Sequence, residues 1–205
     1  MTIGVLALQG DFARHAAALT RCGVRAAEVR KPAELDDVQG LIVPGGESTT
    51  LLTLLRAWDF GPAIEAFRAS GRPLFGTCAG LILLAREVEH PRQPSLGLID
   101  LQVERNAYGR QRESFEVTEP VDFGYGPTAF RMTFIRAPRI RTVGPGVRVL
   151  GRHAGDPVLV REGTVLAASF HPELSDDLAV HQYFCAMARG HATRPVIASP
   201  VPPSL

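Results

Sequence analysis

Apolar residues fall into two textures along this 205-residue chain. In the first half, unbroken apolar runs alternate with stretches of helical period. Ile3 to Leu8 reads as a strand buried on both faces of a parallel sheet, and Val24 to Val29, Gly40 to Val43 and Pro73 to Gly76 follow suit. Between and after them, Phe12 to Arg21 (closed by Cys22-Gly23), Ser48 to Leu55, Ala63 to Ala69 and Leu81 to Val88 read as helices. That alternation predicts βαβ units and a mostly parallel sheet flanked by helices, an α/β fold. After His90-Pro91 the segments become short and strand-like: Leu98 to Val103, Ser114 to Val117, Ala129 to Ile135, Val147 to Leu150, Pro157 to Arg161 and Thr164 to Ser169. These are expected to add antiparallel strands to one side of the sheet. Asp176 to Arg189 reads as a closing helix. Residues 1–189 are thus expected to form a single domain, with 190–205, carrying Pro195, Pro200, Pro202 and Pro203, as a disordered tail.

Charge narrows the function classes. Lysine and arginine total 22 against 21 acidic residues, a net +1, which argues against a large nucleic-acid footprint. Three scattered cysteines, Cys22, Cys78 and Cys185, make no disulfide framework and no metal-ligand spacing, so no metal is expected and the compartment is expected to be reducing. The first ten residues carry no basic leader and too short an apolar run to span a bilayer, so a cytoplasmic location is expected.

Three constellations carry chemistry. In Gly76-Thr77-Cys78-Ala79-Gly80, glycines lie two residues either side of a cysteine at a strand-to-helix junction. Such a turn exposes the thiol at a helix N-terminus, where the dipole favours thiolate and backbone N–H groups can receive an oxyanion. A lone cysteine is more often a small core residue, and Cys22 and Cys185 keep that reading. Ser169-Phe170-His171-Pro172-Glu173 supplies a base and an orienting carboxylate. Pro172 is expected to end a strand, and an extended His-Pro-Glu would place His171 and Glu173 on one side. Alone, His171 would be a satisfied loop histidine and Glu173 a helix N-terminal charge before Asp176; with the cysteine elbow they read as a triad. His15, His90, His153, His181 and His191 have no such company and are expected to be surface or helix residues. Pro44-Gly45-Gly46-Glu47-Ser48 runs from a strand into a helix, with amides suited to a carboxylate or oxyanion and Glu47 suited to an ammonium group. Taken alone it reads first as a simple capping turn with Ser48 at the N-cap.

With these pieces in place, the chain resembles the class I (triad) glutamine amidotransferases, and within them the glutaminase subunits of pyridoxal 5′-phosphate synthase. The match is carried by Leu8-Gln9-Gly10, Gly45-Gly46-Glu47-Ser48-Thr49-Thr50, Gly76-Thr77-Cys78-Ala79-Gly80, Glu104-Arg105-Asn106, Gly109-Arg110-Gln111, Phe134-Ile135-Arg136-Ala137-Pro138 and Ser169 to Leu174. The resemblance implies a three-layer, flavodoxin-like fold. It also implies that Cys78 attacks the glutamine carboxamide, with His171 as acid and base and Glu173 holding its ring. Gly46, Glu47, Ser48, Arg105, Ile135 and Arg136 would bind glutamine, and amides of Gly46 and Ala79 would form the oxyanion hole. No cofactor is implied. The implied partner is a (β/α)₈-barrel synthase subunit in a complex of twelve plus twelve, with Gln9 coupling the oxyanion loop to it. In the free subunit the triad is expected to be largely formed and the loop near Gly45-Gly46 not. A stand-alone cysteine hydrolase, an amidotransferase subunit of another pathway and a non-catalytic binding module are the rival readings.

Overall fold

The computed structural model describes residues 1–105 and 114–190. The chain runs β1 (Thr2–Leu6), α1 (Phe12–Arg21), β2 (Arg25–Val29), β3 (Leu41–Val43), α2 (Ser48–Ala57), α3 (Phe60–Ala69), β4 (Leu74–Thr77), α4 (Ala79–Leu84) and β5 (Ala85–Glu89). It continues through β6 (Ile99–Glu104), β7 (Ser114–Val121), β8 (Thr128–Ile135), β9 (Arg139–Val143), β10 (Arg148–His153), β11 (Asp156–Glu162), β12 (Val165–Ala168) and α5 (Ala179–Ala188). One nine-stranded sheet has the order β2-β1-β3-β4-β12-β11-β10-β7-β8. Its first five strands are parallel and the remaining four add on antiparallel.

Alternation along the central strands sorts the core into two layers, because successive side chains of a strand point to opposite faces. Ile3, Val5, Ile42, Phe75, Leu166 and Ala168 join Leu19 of α1 and Val180, Tyr183 and Phe184 of α5 on one face. Leu6, Leu41, Val43, Leu74, Val165 and Ala167 meet Leu51, Leu55, Ile64, Phe67 and Leu81 on the other. Burial of each such Val, Leu, Ile or Phe side chain stabilises by about 1.5–3 kcal/mol, and both faces are covered as a parallel sheet requires.

The sequence expectation fails at two elements. The helix expected over Leu81 to Val88 stops at Leu84, and Ala85–Glu89 pairs with β6 in a second, three-stranded sheet of order β5-β6-β9. Ala85 and Val88 are both buried, at the i, i+3 spacing of a helical face. A register shift between Ala85 and Glu87 lets a strand bury the same two residues. The strand β9 escapes a periodicity reading because only Ile140 of its five residues is buried. The tail from His191 onward, including the expectation of disorder, lies outside the described residues.

Register places the functional loops together. The parallel pairings of Val43 with Gly76 and of Ala168 with Thr77 bring β3, β4 and β12 to nearly level C-terminal ends. The segments Pro44–Glu47, Cys78 and Ser169–Glu173 therefore leave three adjacent strands at one edge, where open α/β sheets build their sites.

Candidate active site

Cys78 follows β4 with φ 48° and ψ −103°, a left-handed conformation that costs a non-glycine residue on the order of 1–3 kcal/mol. Its N–H donates to the Ala168 carbonyl on β12 (2.9 Å), which ties the elbow to the neighbouring strand. Both flanking glycines are required by close approach. A Cβ on Gly80 would lie 2.0 Å from the Val43 carbonyl oxygen, and one on Gly76 would lie 2.7 Å from the Gly80 carbonyl carbon. As the residue before α4, Cys78 sits at the helix N-terminus, and Ala79 opens the first turn, whose amides have no partner within the helix. The thiol lies 3.9 Å from the Ile135 carbonyl oxygen at the end of β8.

His171 Nδ1–H donates to Glu173 Oε1 at 2.7 Å, so these two predicted residues are joined. The local geometry differs from expectation. β12 ends at Ala168, three residues before His171, and Pro172–Leu174 forms a 3₁₀ turn that Pro172 opens. The carboxylate thus reaches the ring by the chain curling back, not by an extended strand; proline's fixed φ suits the first position of such a turn. Burial alone would lower the His171 pKa, but hydrogen bonds to Cys78 and Glu173 and their charges raise it to about 10. Burial would raise Glu173, and His15 and His171 on either side bring it down to about 2.

Sequence reasoning missed what lies behind Glu173. His15 on α1 and His181 on α5 are helix residues, one of the two readings expected, and both are fully buried. His15 Nε2 lies 3.3 Å from Glu173 Oε2 and 3.2 Å from Thr77 Oγ1, and His15 Nδ1 is 3.0 Å from His181 Nε2. A signal was present: His15 lies three and four residues before Ala18 and Leu19, on the helix's buried stripe. His153 is also not a surface residue; it ends β10, half-buried, with Nδ1 2.8 Å from Glu119.

A cavity of about 180 Å³ opens at the thiol, lined by Asp11, Gly46, Glu47, Ser48, Cys78, Ile82, Arg105, Ile135, Arg136 and His171. Every glutamine-binding residue expected from the sequence is on that wall. Arg105 Nη2 lies 3.5 Å from Glu47 Oε1, which sets a guanidinium beside a carboxylate. Arg136 has φ 44°, another left-handed position next to the thiol's Ile135 neighbour. Glu47, not Ser48, is the N-cap of α2, and its carboxylate accepts from the Thr49 hydroxyl at 3.1 Å. Ser48 Oγ instead donates to Gln93 Oε1 at 3.2 Å, a neighbour 45 residues away that no local pattern announces.

Gln9 touches the glycine loop directly. Its Oε1 accepts from the Glu47 N–H at 3.3 Å, and a Cβ on Gly46 (φ 147°) would lie 2.4 Å from Gln9 Nε2. Gly10 approaches as closely, since its Cβ would lie 1.8 Å from the Gly45 carbonyl oxygen. Asn106 and Gly109-Arg110-Gln111 lie outside the described residues. Asp11, His171 and Glu173 bring ligand atoms within 4.8 Å of one another. However, His171 Nδ1 and Glu173 Oε1 are already bonded to each other, so this is a hydrogen-bonded dyad and not an open set of donors.

The family model described as the SNO glutamine amidotransferase family matches residues 5–189. The pyridoxal 5′-phosphate synthase subunit PdxT of Thermotoga neapolitana is 49% identical over 189 residues, 92% of this chain and all of that protein. The protein of the same name from Koribacter versatilis is 51% identical over 189 residues, covering 92% of this chain and 96% of its own. A solved structure described as a glutamine amidotransferase superposes with a TM-score of 0.85 at 51% identity, covering 91% of this chain and 98% of that one. A putative GMP synthase subunit from Thermoplasma acidophilum shares the fold alone, with a TM-score of 0.68 at 18% identity.

Proposed function

This chain belongs to the SNO glutamine amidotransferase family, and from that premise we propose that it is the glutaminase subunit of a pyridoxal 5′-phosphate synthase, hydrolysing L-glutamine and passing on ammonia. The observation that carries this reading is the single cavity wall on which Cys78, His171, the Glu47–Arg105 pair and Arg136 converge. A sulfur nucleophile at one end and paired opposite charges at the other suit a substrate that is a carboxamide at one end and a zwitterion at the other.

In this reading Cys78 Sγ attacks the carboxamide carbon, and the carbonyl oxygen becomes an oxyanion received by the Gly46 and Ala79 amides. His171, protonated at neutral pH, gives its proton to the leaving nitrogen as the C–N bond breaks. Ammonia departs and a glutamyl thioester remains on Cys78. Neutral His171 then takes a proton from water, which attacks the thioester; glutamate leaves and the thiolate is regenerated. Glu173 holds the ring with Nε2 toward the sulfur throughout. Arg105 and Arg136 receive the substrate carboxylate, Glu47 its ammonium group, and Gly46, Ser48 and Ile135 complete the wall. No metal or cofactor takes part in any of these steps. The partner is a (β/α)₈-barrel synthase subunit in a cytoplasmic complex of twelve plus twelve, with Gln9 coupling the glycine loop to it. The loop at Gly45-Gly46 takes its oxyanion-binding form when that partner docks.

The test is glutamate release from L-glutamine, with and without the synthase subunit, for wild type and Cys78→Ala. Release that rises with the partner and vanishes in the variant is expected. Release indifferent to the partner would detach the enzyme from this pathway, and release that survives Cys78→Ala would sink the thioester mechanism.

A further inference from the structure

Two imidazoles are buried outside the machinery above. His15 and His181 lie behind β4, with Phe75 edge-on to each ring at 6.3 and 6.2 Å between centroids. Neither lines the cavity. Burying a polar ring in such company is unfavourable unless its nitrogens find partners. Three of the four do, as the distances from His15 to Glu173, Thr77 and His181 show. The fourth, His181 Nδ1, has none among the described residues, and neither has Glu173 Oε2 by full hydrogen-bond geometry, although it lies 3.3 Å from His15 Nε2.

The order of atoms dictates where the protons sit. A ring nitrogen facing a carboxylate oxygen must carry a proton, because two lone pairs would repel. His15 Nε2 is therefore an N–H. Burial pushes the His15 pKa below its usual value, against the pull of Glu173, so the ring is neutral and its Nδ1 is a bare acceptor. His181 must then donate from Nε2. One chain results: His181 Nε2–H to His15 Nδ1, His15 Nε2–H toward Thr77 Oγ1 with Glu173 Oε2 3.3 Å away in electrostatic contact, and His171 Nδ1–H to the other carboxylate oxygen.

We propose that His15, held in its Nε2–H tautomer by His181, is a positioning residue for the triad: it anchors the second carboxylate oxygen of Glu173 and thereby fixes the ring of His171. The proposal deepens the glutaminase reading and its kinetic arm rests on that reading. A carboxylate held by one hydrogen bond can swing about it; a second N–H 3.3 Å from the opposite oxygen attracts that oxygen and restricts the swing. The titratable groups facing His15 are Glu173 and His171 from the turn after β12, His181 from α5 and Asp11 from the start of its own helix, with Arg21 facing His181.

Nitrogen NMR on the ¹⁵N-histidine-labelled protein tests the chain without mutation. His15 and His181 are expected to be neutral Nε2–H tautomers at pH 7, and an Nδ1–H tautomer or an imidazolium at His15 would overturn the proposal. Kinetics with the synthase subunit present supply the second test. His15→Leu is expected to lower kcat on the order of 10²-fold with little change in KM, since a misplaced catalytic group can cost that much. His15→Gln, which keeps an N–H donor, is expected to recover most of the loss. In a Glu173→Gln background, His15→Leu should cost no more than about twofold, because residues acting as a unit are non-additive. An equal loss in both backgrounds would show a merely structural role. Should His15→Leu fail to fold, the NMR measurement and His15→Gln decide. Wild type that releases no glutamate would end the glutaminase reading and leave the NMR result to judge the chain.

Discussion

A methyl group on Gly80 would meet the Val43 carbonyl oxygen at 2.0 Å, and both partners are held by backbone, so neither can yield cheaply. Gly80→Ala is therefore expected to destabilise the protein by about 2 kcal/mol or more, as overpacking and forced backbone shifts do. It should also slow alkylation of Cys78 by iodoacetamide, because the elbow that presents the thiol must move. Thermal melting and alkylation rates check both, and a variant as stable and reactive as wild type would show that the elbow tolerates the extra atom. The glycines were legible as a pattern around Cys78. Their reason was not, since it is the approach of β3, a strand 37 residues earlier, that leaves no room at Gly80.

At the scale of elements, the packing of α1 and α5 behind β4 makes stability depend on pH in a worked-out direction. His171 is raised in the fold to about 10, so its contribution is full below pH 6.5 and is lost as pH climbs toward 10. Glu173 is lowered to about 2, so its contribution is full above pH 4.5 and is lost as pH falls toward 2. His181 works in the opposite sense to His171. Burial holds it neutral, with a pKa of about 3, while the unfolded chain takes up a proton below pH 6.5, so stability is lost from 6.5 downward. His181→Phe is expected to flatten the decline between pH 6.5 and 4.5, measured as the urea midpoint against pH, and an unchanged slope would assign that decline to other groups. Helical spacing marked the buried stripe of α1, but a histidine on that stripe has no sequence partner to reveal that it faces α5. In the same way, Ala85 and Val88 satisfy a helix pattern and a bulged strand equally, and only pairing with β6 selects the strand.

At the scale of the whole molecule, the segment after β1 touches the site twice, through Gln9 and Gly10 on the glycine loop and through His15 beside the Glu173 carboxylate. A partner that shifts α1 would therefore act on both halves of the chemistry. Gln9→Ala is expected to reduce the factor by which the synthase subunit stimulates glutamate release, and stimulation equal to wild type would remove Gln9 from the coupling. The sequence by itself determined the parallel α/β half, through apolar runs of strand length between helical periods, and it nominated Cys78, His171, Glu173 and the glycine loop, because glycine and proline spacing is a local property. It could not determine the 3₁₀ turn that joins His171 to Glu173, the Ser48–Gln93 contact, the second sheet, or the histidine chain behind the carboxylate. Each of those is a meeting of distant segments or a choice between two local geometries of equal burial, and such choices are made by packing, since the energy that separates them exists only once the layers have closed.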